Sequence, residues 1–286
     1  MRSPRLLAVT LGLAVSLALV VTLSQSFAAP PSSIGLVYTQ KKNFKVGDWV
    51  LYRITGTNQE GKTSVDYQRV QVVLETRWMG EPCVWIETGY GTSPDSLDYS
   101  AALFSENAYN DTIAYLRPNF YLRRLHVQTD PDGTPRAVDV HTFNPRIPLK
   151  DSDFDSRRPV MKDSHPDTLT LGKKGSFACE YYELVRTHTT IKNNPDVNYE
   201  RGTESTVKRW LNPDLVPITG ILREEEHKLY KEHAWPVGKV STDYPVKVVA
   251  FDDLKTELID WGTGAKPKIA NRIKDARDQS AQQVEP

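Results

Sequence analysis

The chain has 286 residues, 36 basic and 36 acidic side chains, and 39% hydrophobic residues. Because the two signs of charge are balanced and interspersed, there is no electrostatic basis for binding nucleic acid or an anionic membrane surface. The glycines are scattered and form no phosphate-binding or dinucleotide-binding loop, so no cofactor is predicted.

The N-terminus has the three parts of a signal peptide. Arg2 and Arg5 form a positive start, residues 6–23 carry no charge, and the small residues Ser26 and Ala28 favour cleavage after position 28. The alternative is a retained membrane anchor, because about 18 apolar residues can just span a bilayer. However, no basic stop-transfer cluster follows the apolar run. No cysteine lies near the cut, so lipidation is not predicted.

Residues 1–28 are therefore predicted to be removed, which takes the formal charge from 0 to −2 with the loss of two arginines. The remaining chain has no second apolar run of membrane-spanning length. We predict a periplasmic or secreted protein without a transmembrane segment after processing.

Ordered structure in the mature chain is predicted to begin near its first aromatic run. Residues 29–43 are rich in proline and serine and then basic, and are predicted to be a flexible lead-in; residues 44–264 are predicted to form a single β-rich domain. Trp49–Ile54 is a continuous run of β-forming residues and predicts the first strand. Glu60-Gly61 has the composition of a hairpin turn.

The next segment has the clearest two-residue period in the chain. Val70, Val72 and Leu74 fall on one face of a predicted strand. The alternate positions are polar: Arg69, Gln71 and Glu75. A third strand begins at Cys83. These features predict an antiparallel meander of three strands with one face in water.

The following region changes character. Leu97, Ala101 and Phe104 have helical spacing, so one or two short helices are expected between residues 93 and 118. Strands are then predicted at residues 120–128 and 136–143, joined by a turn rich in aspartate and proline.

Residues 144–174 are poor in apolar side chains and are predicted to be a long surface loop. Four strands follow, the third highly charged and the fourth divided in two near Asp252-Asp253. They are residues 176–190, 203–211, 219–233 and 246–261. The tail, residues 265–286, is charged and glutamine-rich and is predicted to be disordered or frayed.

No catalytic or metal-binding motif stands out. There is no Gly-x-Ser-x-Gly elbow, and the acidic and histidine side chains at residues 224–233 lack the spacing of zinc ligands, so that segment is interpreted as a solvated strand. Five residues around the predicted hairpin at 126–141 can converge, which keeps a secreted hydrolase open as an alternative. They are His126, Asp130, Asp132, Asp139 and His141.

The chain has two cysteines, Cys83 and Cys179, both in apolar, strand-like runs. An oxidising compartment permits a disulfide between them. Two buried thiols that act as small hydrophobic side chains are the alternative. The sequence leaves both alternatives open.

The remaining signal is a surplus of apolar residues on one sheet. A wide antiparallel sheet without long helices must curl over its own apolar face or bury a ligand there. If the sheet is only half closed, that face is a groove for an acyl chain or another apolar ligand. The candidate groove residues, which are otherwise ordinary core, are Trp49, Leu51, Val70, Val72, Leu74, Trp85 and Trp210.

Four segments carry a resemblance to a known family, among them an opening strand and a strand that ends at a tryptophan and an Asn-Pro turn before a long following strand. They are Phe44–Arg53, Gly175–Glu180, Val207–Glu224 and Leu258–Ala265. Together they resemble exported bacterial proteins of the outer-membrane lipoprotein-sorting (LolA/LolB-like) superfamily. The resemblance implies an incomplete, strongly curved antiparallel barrel with one or two short helices at its mouth, which holds a lipid or a lipoprotein acyl chain and has no enzymatic activity.

The leading prediction is therefore a mainly β protein that acts as a non-enzymatic periplasmic carrier or binding protein, with an apolar ligand in a half-barrel groove. The first alternative is a structural or partner-binding module of the cell envelope, with residues 219–233 and the 144–174 loop as its contact surface. The second alternative is the secreted hydrolase described above.

Overall fold

The structure is a computed structural model, and it describes residues 43–110, 122–127, 136–138, 159–193 and 195–273. The chain divides into two units, residues 1–34 and 35–286, and the described residues all belong to the second. The predictions for the signal peptide, for most of the lead-in and for most of residues 111–158 lie outside the described residues.

In the described residues, eleven strands form one sheet in which each neighbouring pair is antiparallel. The strands are β1 Trp49–Asn58, β2 Thr63–Trp78, β3 Glu81–Ser93, β4 Ser96–Ser105, β5 Leu122–Val127, β6 Arg136–Val138, β7 Val160–Thr170, β8 Ser176–Asn193, β9 Val197–Leu211, β10 Ile221–Pro236 and β11 Lys247–Gly262. Within the described residues the helices are short 3-10 turns at Glu106–Asn110, Gly172–Lys174, Ser241–Asp243 and Ala270–Arg272.

The strand order across the sheet is β6-β5-β4-β3-β2-β1-β11-β10-β9-β8-β7. Two meanders therefore meet where the first strand pairs with the last. In the part of the chain that the structure describes, the two edge strands β6 and β7 do not pair with each other, so the sheet stays open. The predicted mainly β, open antiparallel fold is confirmed.

The sheet is strongly curved. Phe177 of β8 and Trp261 of β11 have ring centroids 5.9 Å apart, although β9 and β10 lie between them. In a flat sheet these two strands would be about 14 Å apart, at roughly 4.8 Å per strand. Lys174, which precedes β8, also reaches β11, where its Nζ lies 2.5 Å from Oδ1 of Asp260.

The predicted helix over residues 97–104 is wrong. These residues belong to β4, in which half-buried and buried side chains alternate from Ser100 to Ser105. β4 pairs with β3 along almost its full length. The two strands approach closely at Gly91, where a Cβ would lie 2.3 Å from the carbonyl oxygen of Ser96. Cross-strand pairing therefore outweighs a helical spacing that only three apolar residues support.

Two further predicted elements are corrected. Residues 160–170, predicted as part of the 144–174 loop, form β7, which pairs with β8. Residues 246–261, predicted as two strands, form the single strand β11. It continues through Asp252 and Asp253 because both neighbouring strands, β1 and β10, pair with it at these two residues.

The core lies on both faces of β1–β4. On one face, called here the loop face, Val50 and Val72 pack under residues 212–220, which connect β9 to β10. On the opposite face, called the C-terminal face, Trp85 packs under residues 264–273, called the covering segment. Irregular segments, rather than a second sheet, therefore exclude water from both faces.

The covering segment corrects the prediction of a frayed tail from residue 265 onward. Ile269 is 0% exposed, and Ala270 and Ile273 are also buried. These side chains join the core cluster of Trp85 and Leu103. Residues 274–286 lie outside the described residues.

Candidate functional site

The candidate groove residues do not form one surface. Val70 and Val72 belong to the core cluster on the loop face. Trp85 belongs to the cluster on the C-terminal face, and the cross-strand register places Trp49 and Leu51 on that same face. Val72 and Trp85 are 0% and 1% exposed, so the protein's own side chains fill the space around them.

A β-bulge at Val73 separates Leu74 from Val70 and Val72. Val72 pairs with Ile86, whereas Leu74 pairs with Trp85, so Val73 is the additional residue. Because a bulge shifts the alternation of side chains by one position, Leu74 faces the C-terminal side. The predicted single apolar face of β2 is therefore wrong beyond Val72.

Trp210 lies apart from the other candidates, at the margin of the loop-face cluster. Its Nε1–H donates a hydrogen bond to Oδ2 of Asp167 at 2.9 Å, and its ring meets the ring of Tyr181 edge-on at 5.2 Å. Its polar end is thus satisfied within the protein, as is usual for a half-buried tryptophan.

Cys83 and Cys179 are both free and buried, and they belong to different core clusters. The disulfide alternative is therefore not realised in this structure. Burial raises the pKa of the Cys83 thiol to about 11 and also raises the pKa of Cys179. Both thiols are protonated at neutral pH.

A cleft of about 700 Å³ opens on the C-terminal face, between the β3–β4 turn and the covering segment. Its floor is a cross-strand row in which Arg69 pairs with Gly89, and Gly89 pairs with Tyr99. The glycine allows the Tyr99 ring to lie directly on β3, since a Cβ at position 89 would be 2.8 Å from ring atoms. Leu97 adds an apolar wall. A cleft of this size is in the range of small-molecule sites.

Arg69 is held from two sides at the floor of this cleft. Its guanidinium carbon lies 4.2 Å from the ring centroid of Trp49, and its Nε donates to Oε1 of Gln71 at 3.0 Å. The stacked ring and the hydrogen bond together restrict the side chain to one orientation.

A buried carboxylate below the cleft fixes the covering segment. Glu87 is 0% exposed, and Nε2 of Gln71 donates to it at 2.7 Å. Three backbone N–H groups also donate to this carboxylate, at 2.7 to 3.1 Å, from Lys268, Ile269 and Ala270. A charge can be buried here because these donors satisfy its oxygens.

The predicted wet face of the meander is therefore wrong at its centre. Gln71 is 0% exposed because the covering segment, whose Lys266 is 195 residues further along the chain, packs over it. The alternating polar residues of β2 were visible in the sequence. Nothing near them in the chain indicates which segment covers them.

The cleft has an uneven distribution of charge. Four basic and two acidic side chains line it, which leaves a formal charge of +2: Arg69, Lys266, Lys268, Arg272, Asp95 and Asp98. Burial raises the pKa of Tyr99, and the positive charge of Arg69 acts in the opposite direction. The sequence prediction included none of these residues as candidates for the site.

The charged strand proposed as a contact surface is β10, and its ion pairs make it partly internal. Arg209 of β9, which is buried, pairs with Glu224, and Arg223 pairs with Glu257 of β11. The side chains of the hydrolase alternative, at positions 126, 130, 132, 139 and 141, lie outside those that the structure describes.

Among the described residues, no three His, Cys, Asp or Glu side chains are grouped closely enough to hold a metal ion. The same part of the chain contains no helix with the length and apolar character needed to cross a membrane.

No family model and no curated protein matches the chain. Solved structures similar to it include a candidate exported protein with a YmcC-like fold from Bacteroides fragilis, at 12% identity over 77% of this chain and 97% of the other, with a TM-score of 0.30. A candidate lipoprotein from Parabacteroides distasonis gives 12% identity, coverage of 76% and 96%, and a TM-score of 0.30.

A LolA superfamily protein from Nitrosomonas europaea is also among the similar structures, as the sequence resemblance predicts. It gives 12% identity over 83% of this chain and 95% of the other, with a TM-score of 0.25. TM-scores of this size do not establish a shared fold, so the fold class rests on the strand pairing described above.

Proposed function

We propose that the protein is an exported, non-enzymatic binding protein that carries a lipid or a lipoprotein acyl chain in the cleft on its C-terminal face. The observation that supports this most directly is the construction of the cleft. Tyr99 forms part of its floor and also packs against the core cluster of Trp85. An apolar chain that enters the cleft would lie against Leu97 and Tyr99, whose apolar surface continues into that core cluster, while charged side chains line the rest of the cleft.

Area, rather than a set of hydrogen bonds, would supply most of the affinity. Burial of an acyl chain contributes about 0.8 kcal/mol for each methylene group. The covering segment lies along one side of the cleft and is held by Glu87, so a ligand can lie beside it without displacing it.

Export rests on the N-terminal sequence. The positive start, the uncharged apolar run and the small residues up to Ala28 are the pattern that signal peptidase recognises. N-terminal sequencing of the protein from cell envelope fractions is expected to begin at Ala29. A first residue of Met1 would contradict cleavage.

Native mass spectrometry tests the carrier function. The wild-type protein, purified gently from the cells that make it, is expected to carry a bound lipid mass. Tyr99→Ala, which removes the cleft floor, should lose this mass. Tyr244→Ala is the matched control, because Tyr244 is a half-buried tyrosine that does not line the cleft.

Absence of bound lipid in every wild-type preparation, or its full retention in Tyr99→Ala, would argue against the proposal. The urea midpoint of each variant shows whether loss of lipid reflects the cleft or a loss of folding.

A further inference from the structure

The basic side chains of the cleft belong to its floor and to the covering segment, which together form a basic side. Arg69 is on β2, and Lys266 and Lys268 are on the covering segment, whereas Asp95 and Asp98 belong to the opposite wall around the β3–β4 turn. We propose that this basic side binds a phosphate group, and that the ligand of the cleft is a phosphate-bearing amphiphile. This inference rests on the proposed function for the apolar part of the ligand.

Arg69 provides a fixed donor group. Trp49 and Gln71 hold its guanidinium, and within the described residues its hydrogen bonds use Nε alone. The two terminal Nη groups therefore remain for a ligand. An arginine held in this way presents a planar pair of donors, which matches two oxygens of a phosphate.

The two lysines are positioned by their backbones while their ammonium groups are free. The N–H of Lys268 donates to Glu87 at 2.8 Å, and the carbonyl of Lys266 accepts from Gln71 at 3.1 Å. In the described part of the chain neither ammonium forms an ion pair. Neither ammonium has to give up an ion-pair partner within the described residues in order to meet an anion.

The number of cations favours phosphate over a carboxylate. Arg69, Lys266 and Lys268 place three cations on the same side of the cleft, and a phosphate has more oxygens to offer them than the two of a carboxylate. The carboxylates of Asp95 and Asp98 on the opposite wall repel an anion from that side, so the phosphate is expected beside Arg69.

Calorimetric titration of the full-length mature protein tests the inference with three probes: inorganic phosphate, dihexanoyl phosphatidic acid and uncharged dihexanoylglycerol. The wild-type protein is expected to bind phosphatidic acid most tightly, and added salt should weaken that binding. The double variant Lys266→Gln/Lys268→Gln is expected to bind phosphatidic acid about tenfold more weakly while its affinity for dihexanoylglycerol is unchanged.

The matched control is Lys239→Gln/Lys247→Gln, which removes the same charge from two exposed positions, one in the β10–β11 connection and one at the start of β11, and should bind as wild type does. Arg69→Lys, which keeps the charge and loses the planar fork, should also weaken phosphatidic acid binding. Equal affinity of the Lys266/Lys268 variant and the wild type, or an equal loss in the control, would overturn the inference.

The probes also separate this inference from the proposed function. If dihexanoylglycerol binds as tightly as phosphatidic acid, the phosphate site is overturned and the carrier function stands. If inorganic phosphate binds as tightly as phosphatidic acid, and the lysine variant weakens both, the phosphate site stands as a site for the free anion and the acyl chain contributes nothing. If no probe binds, both are overturned.

Discussion

The two ends of the sheet are stabilised in different ways. The base is covered on both faces, and its buried polar side chains have hydrogen-bond partners. It consists of residues 49–54, 68–74, 83–87 and 100–105 of β1–β4. The distal ribbon has the same antiparallel pairing, but its side chains are mostly half-buried or exposed. It consists of residues 186–193, 197–206, 227–236 and 247–255 of β8–β11.

Cross-strand polar pairs replace burial in the distal ribbon. Nζ of Lys231 lies 2.7 Å from Glu204, and Nδ1 of His227 lies 2.6 Å from Asp253. Exposed pairs of this kind contribute about 0.2–1 kcal/mol each, whereas the burial of one large apolar side chain contributes several times more. Equal strand pairing therefore does not imply equal stability, because the segments that cover the strands supply most of the stabilisation.

Removing a tryptophan should distinguish the two regions most strongly. Trp85→Ala is expected to lower the free energy of unfolding by about 3–5 kcal/mol, because the ring is fully buried in the base. Trp235→Ala, at a half-buried position of the distal ribbon, should cost about 1 kcal/mol. Urea unfolding measures both. Equal losses of unfolding free energy would contradict the claim that the base is stabilised more strongly by burial than the distal ribbon.

Neutralising the buried carboxylate should have the next largest effect. Glu87→Gln replaces an acceptor oxygen with an NH₂ group that faces backbone N–H donors, so we expect a loss of about 2–3 kcal/mol. Release of the covering segment should also open the Lys268–Ile269 bond to trypsin, which mass spectrometry of the fragments detects.

Glu204→Gln in the distal ribbon is the control for the same chemical change and should cost less than about 1 kcal/mol. A Glu87→Gln protein that is as stable and as resistant to trypsin as the wild type would mean that Glu87 does not hold the covering segment.

Acid should destabilise the edge of the base through Glu81. Burial acts to raise its pKa, but hydrogen bonds from Arg123 and Ser105 prevail and hold the pKa below 4.5. Since the folded-state pKa lies below the unfolded one, the stabilisation is complete above about pH 4.5 and is lost as the pH falls through the folded value. Glu81→Gln should be less stable at neutral pH and lose less on acidification, as measured by urea midpoints across pH.

The smallest expected effect is the coupling between Lys231 and Glu204 in the distal ribbon. A double-mutant cycle with Lys231→Met and Glu204→Gln should give about 0.5 kcal/mol or less at low salt. It should approach zero in 1 M salt, where the screening length is about 3 Å. A coupling of several kcal/mol that resists salt would show that the ribbon depends on its charges as much as the base depends on burial.

Local sequence patterns predict the class of fold and most of the strands. The period of two in β2, the hairpin turn at Glu60-Gly61 and the β-forming run at Trp49–Ile54 all correspond to observed elements. Local patterns succeed here because strand alternation and turn chemistry depend on residues that are close in the chain.

Which faces are dry and where a ligand has room depend on contacts between segments that are distant in the chain. The bulge at Val73 turns Leu74 to the opposite face, and pairing with β3 makes a strand of residues 97–104. The covering segment buries Gln71 and Glu87 and forms one wall of the cleft. These features depend on contacts between residues as much as 195 positions apart, and no periodicity within one strand carries that information.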